Sequence, residues 1–419
     1  MEKRKEIVMN ECSRRNFLYL AGAGALAGAA AQNLHAQAEI PPAVPAPSIY
    51  PYEARAAVSL VKGDDRRKNV IEALTAVDQE IAPVLKRKKY VAIKINNVRG
   101  TNQLCATHVD ALRGILDYLG PRFKGPVVVI ESSADDTLVG FDNYKYAQLI
   151  GEYKRFNLKL IDLNREAKYE MFNVVDGNVR PVPVRLAARM FDPDAFIISS
   201  AMLKTHNAVV ATMSIKNMAM GTPLRGIPGA PFDDKMVMHA TVGGGRGRGQ
   251  GGRGPMQPGA GGPIPGGVPA PQQGMPPAGA RGGGGQQANR GPTRGASAHA
   301  MNFNLAMVAK KLSPNWGVAL IDGFEGMEGN GPSSGTPVPM HVAIASRDFM
   351  AADRVGLETM GIPQHAVGYL QYAAQLGVGQ FDLAKIDIRG EKPESVKRVF
   401  KLHDGVQNQL DWLHDITRG

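Results

Sequence analysis

The chain reads as an α/β protein: an open, largely parallel sheet with helices on both faces, interrupted by a disordered Gly/Pro/Arg-rich insertion. Three observations predict that class. Short apolar runs alternate with segments whose apolar residues recur at helical spacing. The run PVVVIESS at 126–133 is continuously apolar before its polar end, as in a parallel strand covered on both sides. Residues 241–298 hold 21 Gly and 9 Pro, too little apolar surface to repay ordering, inside a 419-residue chain otherwise able to form a large core.

Residues 1–38 have the anatomy of an export signal. A charged start is followed by SRRNFL at 13–18, an Ala/Gly/Leu run to Ala31 and the small-residue site Ala36-Gln37-Ala38, which places the mature start at Glu39. Arg14 and Arg15 followed by Phe17 and Leu18 resemble the twin-arginine signal, whose machinery exports folded proteins. That machinery is therefore an expected partner, and the periplasm or cell envelope the expected location. The apolar stretch is too short and too rich in Gly for a membrane anchor.

Residues 39–57 read as a Pro-rich tether and 58–400 as the α/β body. Within the body, helical spacing over 64–85 precedes a strand at 90–96. A helix follows at 107–119, with Thr107 as its N-cap and Asp110 at the capping-box position. After the strand at 126–133 come a helix at 143–153 and strands near 158–162, 195–200 and 316–321. A strand at 341–346, helices at 348–360 and 364–376 and a strand at 385–389 continue the alternation, and 401–419 closes the chain as a helix.

The net charge of +11 raises the question of an acidic partner. Residues 1–38 carry five Lys/Arg against three Glu and 241–298 carry six Arg and no acid, which leaves only +3 for the rest. A nucleic-acid partner is not expected. Loss of the signal removes Cys12 and leaves Cys105 alone, so an intrachain disulfide and a cysteine-ligated iron–sulfur cluster are both excluded. Cys105 reads as a small buried hydrophobe.

The polar groups of interest fall where strands are expected to end, the edge at which open α/β sheets bind ligands. Lys94, Asn96 and Asn97 close the second predicted element, and Glu131, Ser132 and Ser133 the next strand. Lys204, Thr205 and His206 follow AFIISSAM, and Lys216 and Asn217 return in the segment after them. Thr107 and His108 open a helix, and Asp322, Glu325 and Glu328 follow the strand at 316–321. Lysines with Asn and Thr donors suit an anionic small molecule, a carboxylate or a phosphate. His206 is a candidate acid/base or metal ligand, and Asp322, Glu325 and Glu328 are candidate ligands of a divalent metal or a base. No H-E-x-x-H, G-x-G-x-x-G or G-x-S-x-G pattern narrows the chemistry further.

Taken in order, KINN at 94–97, ATH at 106–108, LKTH at 203–206 and SIKNMAMG at 214–221 resemble the family called domain of unknown function 362. So do IDGFEGMEGNGPSSG at 321–335, ASRDFMAAD at 345–353 and LGVG at 376–379. The resemblance implies an α/β body with a site around the K-T-H, K-N and D-G-x-x-G-M-E-G-N-G-P segments, and no settled reaction. Many relatives also carry ferredoxin-like cysteine motifs; this chain lacks them, so a redox role implies a separate redox partner. The reading is an exported enzyme acting on an anionic small molecule. The alternatives are a non-catalytic envelope protein binding a ligand or partner, and an accessory to an iron–sulfur partner.

Overall fold

The computed structural model describes Ile40 and residues 50–226, 232–239 and 294–416. The export signal, most of the tether and most of the insertion lie outside the described residues.

The elements in chain order are β1 (Ala56–Lys62), α1 (Arg66–Ala76), α2 (Asp78–Leu85), β2 (Tyr90–Lys94), α3 (Val109–Leu119) and β3 (Val127–Glu131). Then come α4 (Thr137–Asn143), α5 (Gln148–Glu152), β4 (Lys159–Asp162), α6 (Leu163–Glu166), β5 (Tyr169–Val175), β6 (Pro181–Ala187), β7 (Ala195–His206) and β8 (Val210–Thr212). The remainder is α7 (Ser214–Met220), α8 (Asp234–Met238), α9 (Arg294–Leu312), β9 (Trp316–Glu328), β10 (Thr336–Ser346), α10 (Phe349–Met360), α11 (Gly368–Gln375), β11 (Ile386–Gly390), α12 (Pro393–Val396) and α13 (Val406–Ile416).

Among the described residues nine strands form one sheet in the order β11-β1-β10-β9-β7-β2-β3-β4, with β8 added to β7, while β5 and β6 pair separately. The pairs β2/β3, β2/β7, β3/β4, β7/β9 and β1/β11 are parallel, and β10 runs antiparallel to both its neighbours. This is the mostly parallel α/β sheet that the alternation predicts. Period-2 geometry sends successive side chains to opposite cores. Ala92 of β2 and Ile321 of β9 join a core with Ile215 of α7, Leu305 of α9 and Val355 of α10. Val91, Ile93, Val318 and Leu320 join the other, with Val70 of α1, Ile81 of α2 and Leu112 of α3.

Local chemistry sets the boundaries. Asp65 accepts a hydrogen bond from the Lys68 N–H to open α1, and Asp348 from Ala351 N–H to open α10. Gly361 closes α10 at φ +64°, a left-handed position that other residues reach only with strain. Several expectations need correction. The N-cap of α3 is His108, whose Nδ1 accepts from Asp110 N–H; Thr107 sits one residue too early and bonds elsewhere. The helix expected over 64–85 is two helices, interrupted at Val77. The helix expected over 143–153 is offset, because α4 ends at Asn143 and α5 spans only Gln148–Glu152. Strand β1 begins at Ala56, two residues inside the assigned tether, and α9 begins at Arg294, inside the assigned insertion.

Candidate functional site

The C-terminal ends of β2, β3 and β7 meet the short helix α7 around a cavity of about 440 Å³. Lys94, Asn96, Asn97, Glu131, Ser132 and His206 line it, together with Lys216 and Asn217. The parallel pairings place Lys94 opposite Ile130 on β3 and Ser199 on β7, so the strands deliver their polar ends to one edge. Helix α7 returns from β8 across that edge, and both carboxylate oxygens of buried Asp353 on α10 accept from its first N–H groups, Ser214 at 2.8 Å and Ile215 at 2.9 Å. Lys216 and Asn217 are thereby aimed at the strand ends.

The cavity wall is a connected polar network. Lys94 Nζ donates to Glu131 Oε1 at 2.6 Å and to Ile95 O at 2.7 Å. Lys204, behind the wall, donates to Asn96 Oδ1 and reaches Cys105 O at 3.5 Å. Asn96 Nδ2 donates to Asn217 Oδ1 at 3.3 Å, and Asn217 Nδ2 to Ser199 Oγ at 3.1 Å and to Lys94 O at 3.3 Å. Gly221 closes against this network: a Cβ there would lie 2.3 Å from Asn217 O and 2.4 Å from Lys94 Nζ, so no side chain fits.

Burial bears on the four lysines at the cavity. It pushes the Lys204 ammonium down to about 8 and lowers Lys94, against the pull of Glu131. Burial, then the neighbouring charge of Lys204 and Lys235, brings Lys216 to about 7. The Lys216 Nζ has no hydrogen-bond or ion-pair partner among the described residues, although the side chain is 7% exposed. Glu131 is the one carboxylate lining the cavity among the described residues. Asn97 lines it too, with both side-chain amide atoms buried and unsatisfied among those residues.

Two histidines face the cavity in opposite tautomers. His206 Nδ1 accepts from Ala208 N–H at 3.0 Å, so its neutral ring carries the proton on Nε2. His239 Nδ1 lies 2.7 Å from Lys235 O, which can only accept, so its Nε2 keeps the lone pair. Burial holds His206 well below the ordinary imidazole value and lowers His239 as well, so both are neutral near pH 7.

Other candidates lie elsewhere. Thr107 Oγ1 donates to Ser200 O at 2.8 Å and accepts from Asn96 N–H, holding a wall residue from outside. Thr205 Oγ1 donates to Gly329 O at 2.8 Å and pins the β9–β10 turn. His108 is spent as the α3 cap, and burial together with Arg66 brings it to about 4. Asp322 lies 3.2 Å from Arg66 Nε, and its position continues the Val318–Leu320 face, opposite to α7. Glu325 is exposed, and Glu328 accepts from Lys401 N–H at 2.8 Å. Among the described residues no group of three His, Cys, Asp or Glu side chains comes together to hold a metal. Cys105 is buried and donates to Asn102 O at 3.0 Å, with burial raising its thiol, as a small packing residue would.

Three participants escape the sequence reading. Lys235 on α8 donates to Ser132 Oγ at 3.0 Å and Met220 O at 2.9 Å, and burial brings it to about 7. His239 follows it at i+4, so the spacing in DKMVMH is the signal that unites the pair on one helical face. Asp353 orients α7; it ends the ASRDFMAAD segment at 345–353, but nothing in that segment marks it as a member of the site.

No curated protein and no solved structure matches the chain. Residues 91–358, well over half of the chain, match the family described as Domain of unknown function (DUF362), and that span contains the strand ends, α7, α8 and Asp353. The chain belongs to the DUF362 family.

Proposed function

We propose that the mature chain is an exported enzyme of the cell envelope that binds an anionic small molecule in the cavity between α7 and the ends of β2, β3 and β7. The observation that carries this is the charge imbalance of a buried site. Lys94, Lys204, Lys216 and Lys235 are all nearly inaccessible, and Glu131 alone answers them along the lining. Unpaired buried charge is costly, by several kcal/mol per ion, unless a partner or a proton shift offsets it. A carboxylate or phosphate ligand supplies that partner. In this reading a divalent metal enters only with the ligand, and any electron transfer falls to a separate redox partner.

The test is thermal denaturation of the mature protein with phosphate and with oxalate. Wild type is expected to gain melting temperature with at least one of them, and Lys204→Ala and Lys216→Met to lose most of the gain. Absence of any shift with both anions would sink the reading. Export is tested separately: replacing Arg14 and Arg15 together by Lys is expected to retain the protein inside the cell.

The Arg/Gly-rich insertion favours a second reading, a non-catalytic protein whose partner contacts lie in that segment. Deleting 241–290 separates the two. Anion binding survives the deletion if the cavity is the functional site, whereas partner association vanishes if the insertion is.

A further inference from the structure

The lysines around the cavity are not equivalent. Lys94 is committed to Glu131 and Ile95 O, Lys204 to Asn96, and Lys235 to Ser132 and Met220 O. Lys216 lines the same cavity with its amine uncommitted among the described residues, on a helix fixed by Asp353. A lysine kept only as a countercharge works best fully protonated and against an acceptor. Lys216 has neither condition, since it is desolvated beside two other cations. Those are the conditions that activate an amine as a nucleophile.

We infer that Lys216 captures the carbonyl carbon of a small anionic oxo compound, such as a 2-oxo acid, as a Schiff base. This deepens the anion-site reading and rests on it. The Nζ lone pair forms a C–N bond while the carbonyl π pair moves to oxygen. The carbinolamine then loses its oxygen as water, which carries one of the two N–H protons and one proton from solvent, while the other N–H proton stays on the imine nitrogen. Overall, amine, carbonyl and one proton give a protonated imine and water. His239, with its Nε2 lone pair free and Lys216 within electrostatic reach, takes the proton released from nitrogen and returns it to the departing hydroxyl. The remaining proton comes from solvent. Lys235, which lines the cavity, holds the substrate's anionic group, and Lys204 behind the wall adds its charge, so a neutral carbonyl compound is expected to fit less well.

At pH 7 an amine brought to about 7 is half unprotonated, a free-amine fraction on the order of 10³ larger than that of a surface lysine. The experiment treats the mature protein with glyoxylate or pyruvate and sodium cyanoborohydride, followed by intact-mass measurement and peptide mapping. The expected result is one reduced adduct, on Lys216, formed well before any surface lysine reacts and absent in Lys216→Arg. Because mapping the wild-type protein locates the adduct, the outcome does not depend on the variant folding. Adducts scattered over surface lysines with none on Lys216 overturn the inference. If oxalate still raises the melting temperature in that case, the anion site stands and only the Schiff-base role falls. If phosphate, oxalate and the oxo acids all leave it unshifted and Lys216 stays unmodified, both fall.

Discussion

Lys94 and Glu131 show how much of the site a residue-level reading reaches. Both stand at strand ends, and each is nearly inaccessible: 1% exposed for Lys94 and 3% for Glu131. Removing one partner of such a pair strands the other charge, at a cost of about 3–5 kcal/mol. Glu131→Gln is therefore expected to lower stability by that order in a denaturant titration, and adding Lys94→Met to recover part of it. A double-variant loss equal to the sum of the two single-variant losses would show that the pair is not coupled. At Gly221 a methyl would meet the Asn217 carbonyl at 2.3 Å, so Gly221→Ala is expected to cost about 1–3 kcal/mol and to weaken phosphate binding in the thermal-shift assay. Lys94, Asn96, Glu131, Lys216 and Asn217 were legible because a polar residue at the end of an apolar run needs a reason to be there. Asp322 met the same criterion and lies on the wrong face. Its position continues the Val318–Leu320 side of β9 toward Arg66, and period-2 direction is not fixed until the sheet's neighbours are known.

Among the elements, α7 decides whether the site exists. It is seven residues long, too short to be stable alone, and its first two N–H groups rest on a carboxylate from α10. Asp353→Asn leaves one of those donors facing an amide NH₂ rather than an oxygen. The expected cost is about 1–3 kcal/mol in stability, together with slower cyanoborohydride trapping at Lys216. An unchanged trapping rate would assign Asp353 to packing alone. Elements with strong periodicity were legible: β2, β3, α3 and α10 fall within a few residues of their expected spans. Those missed have physical excuses. Strand β1 follows directly on a Pro-rich segment, and β5–β6 is a two-stranded ribbon with Pro181 and Pro183 at exposed positions, so neither shows a clear apolar run. Helix α9 begins within the Gly-rich composition that masks its start. Helix α7 lacks a side-chain cap of its own, because its cap comes from 139 residues away.

At the scale of the whole molecule, the buried ionisable groups make stability depend on pH in a way that ligand binding should reverse. Burial raises Asp353 to about 7, above its unfolded value, so its contribution is greatest in acid and is lost as pH rises from about 4 to 7. Burial lowers Lys216 and Lys235 to about 7, so between 7 and the ordinary lysine value of 10.5 the unfolded chain binds more protons than the folded one. In that window these two groups make stability rise with pH. The two trends meet near neutrality, where the free protein carries the largest penalty from its own site. Melting temperature is therefore expected to climb from pH 7 to 9, and to climb less in Lys216→Met/Lys235→Met. The double variant serves as the control for general relief of positive charge, since it keeps all but two of the protein's cations. Phosphate should act in the opposite sense, because it binds the protonated lysines. Its stabilisation is expected to be largest near pH 6, to shrink towards pH 9, and to be accompanied by proton uptake measurable by calorimetry in buffers of different ionisation enthalpy. A phosphate shift that is independent of pH, with no proton uptake, would place the anion away from Lys216 and Lys235.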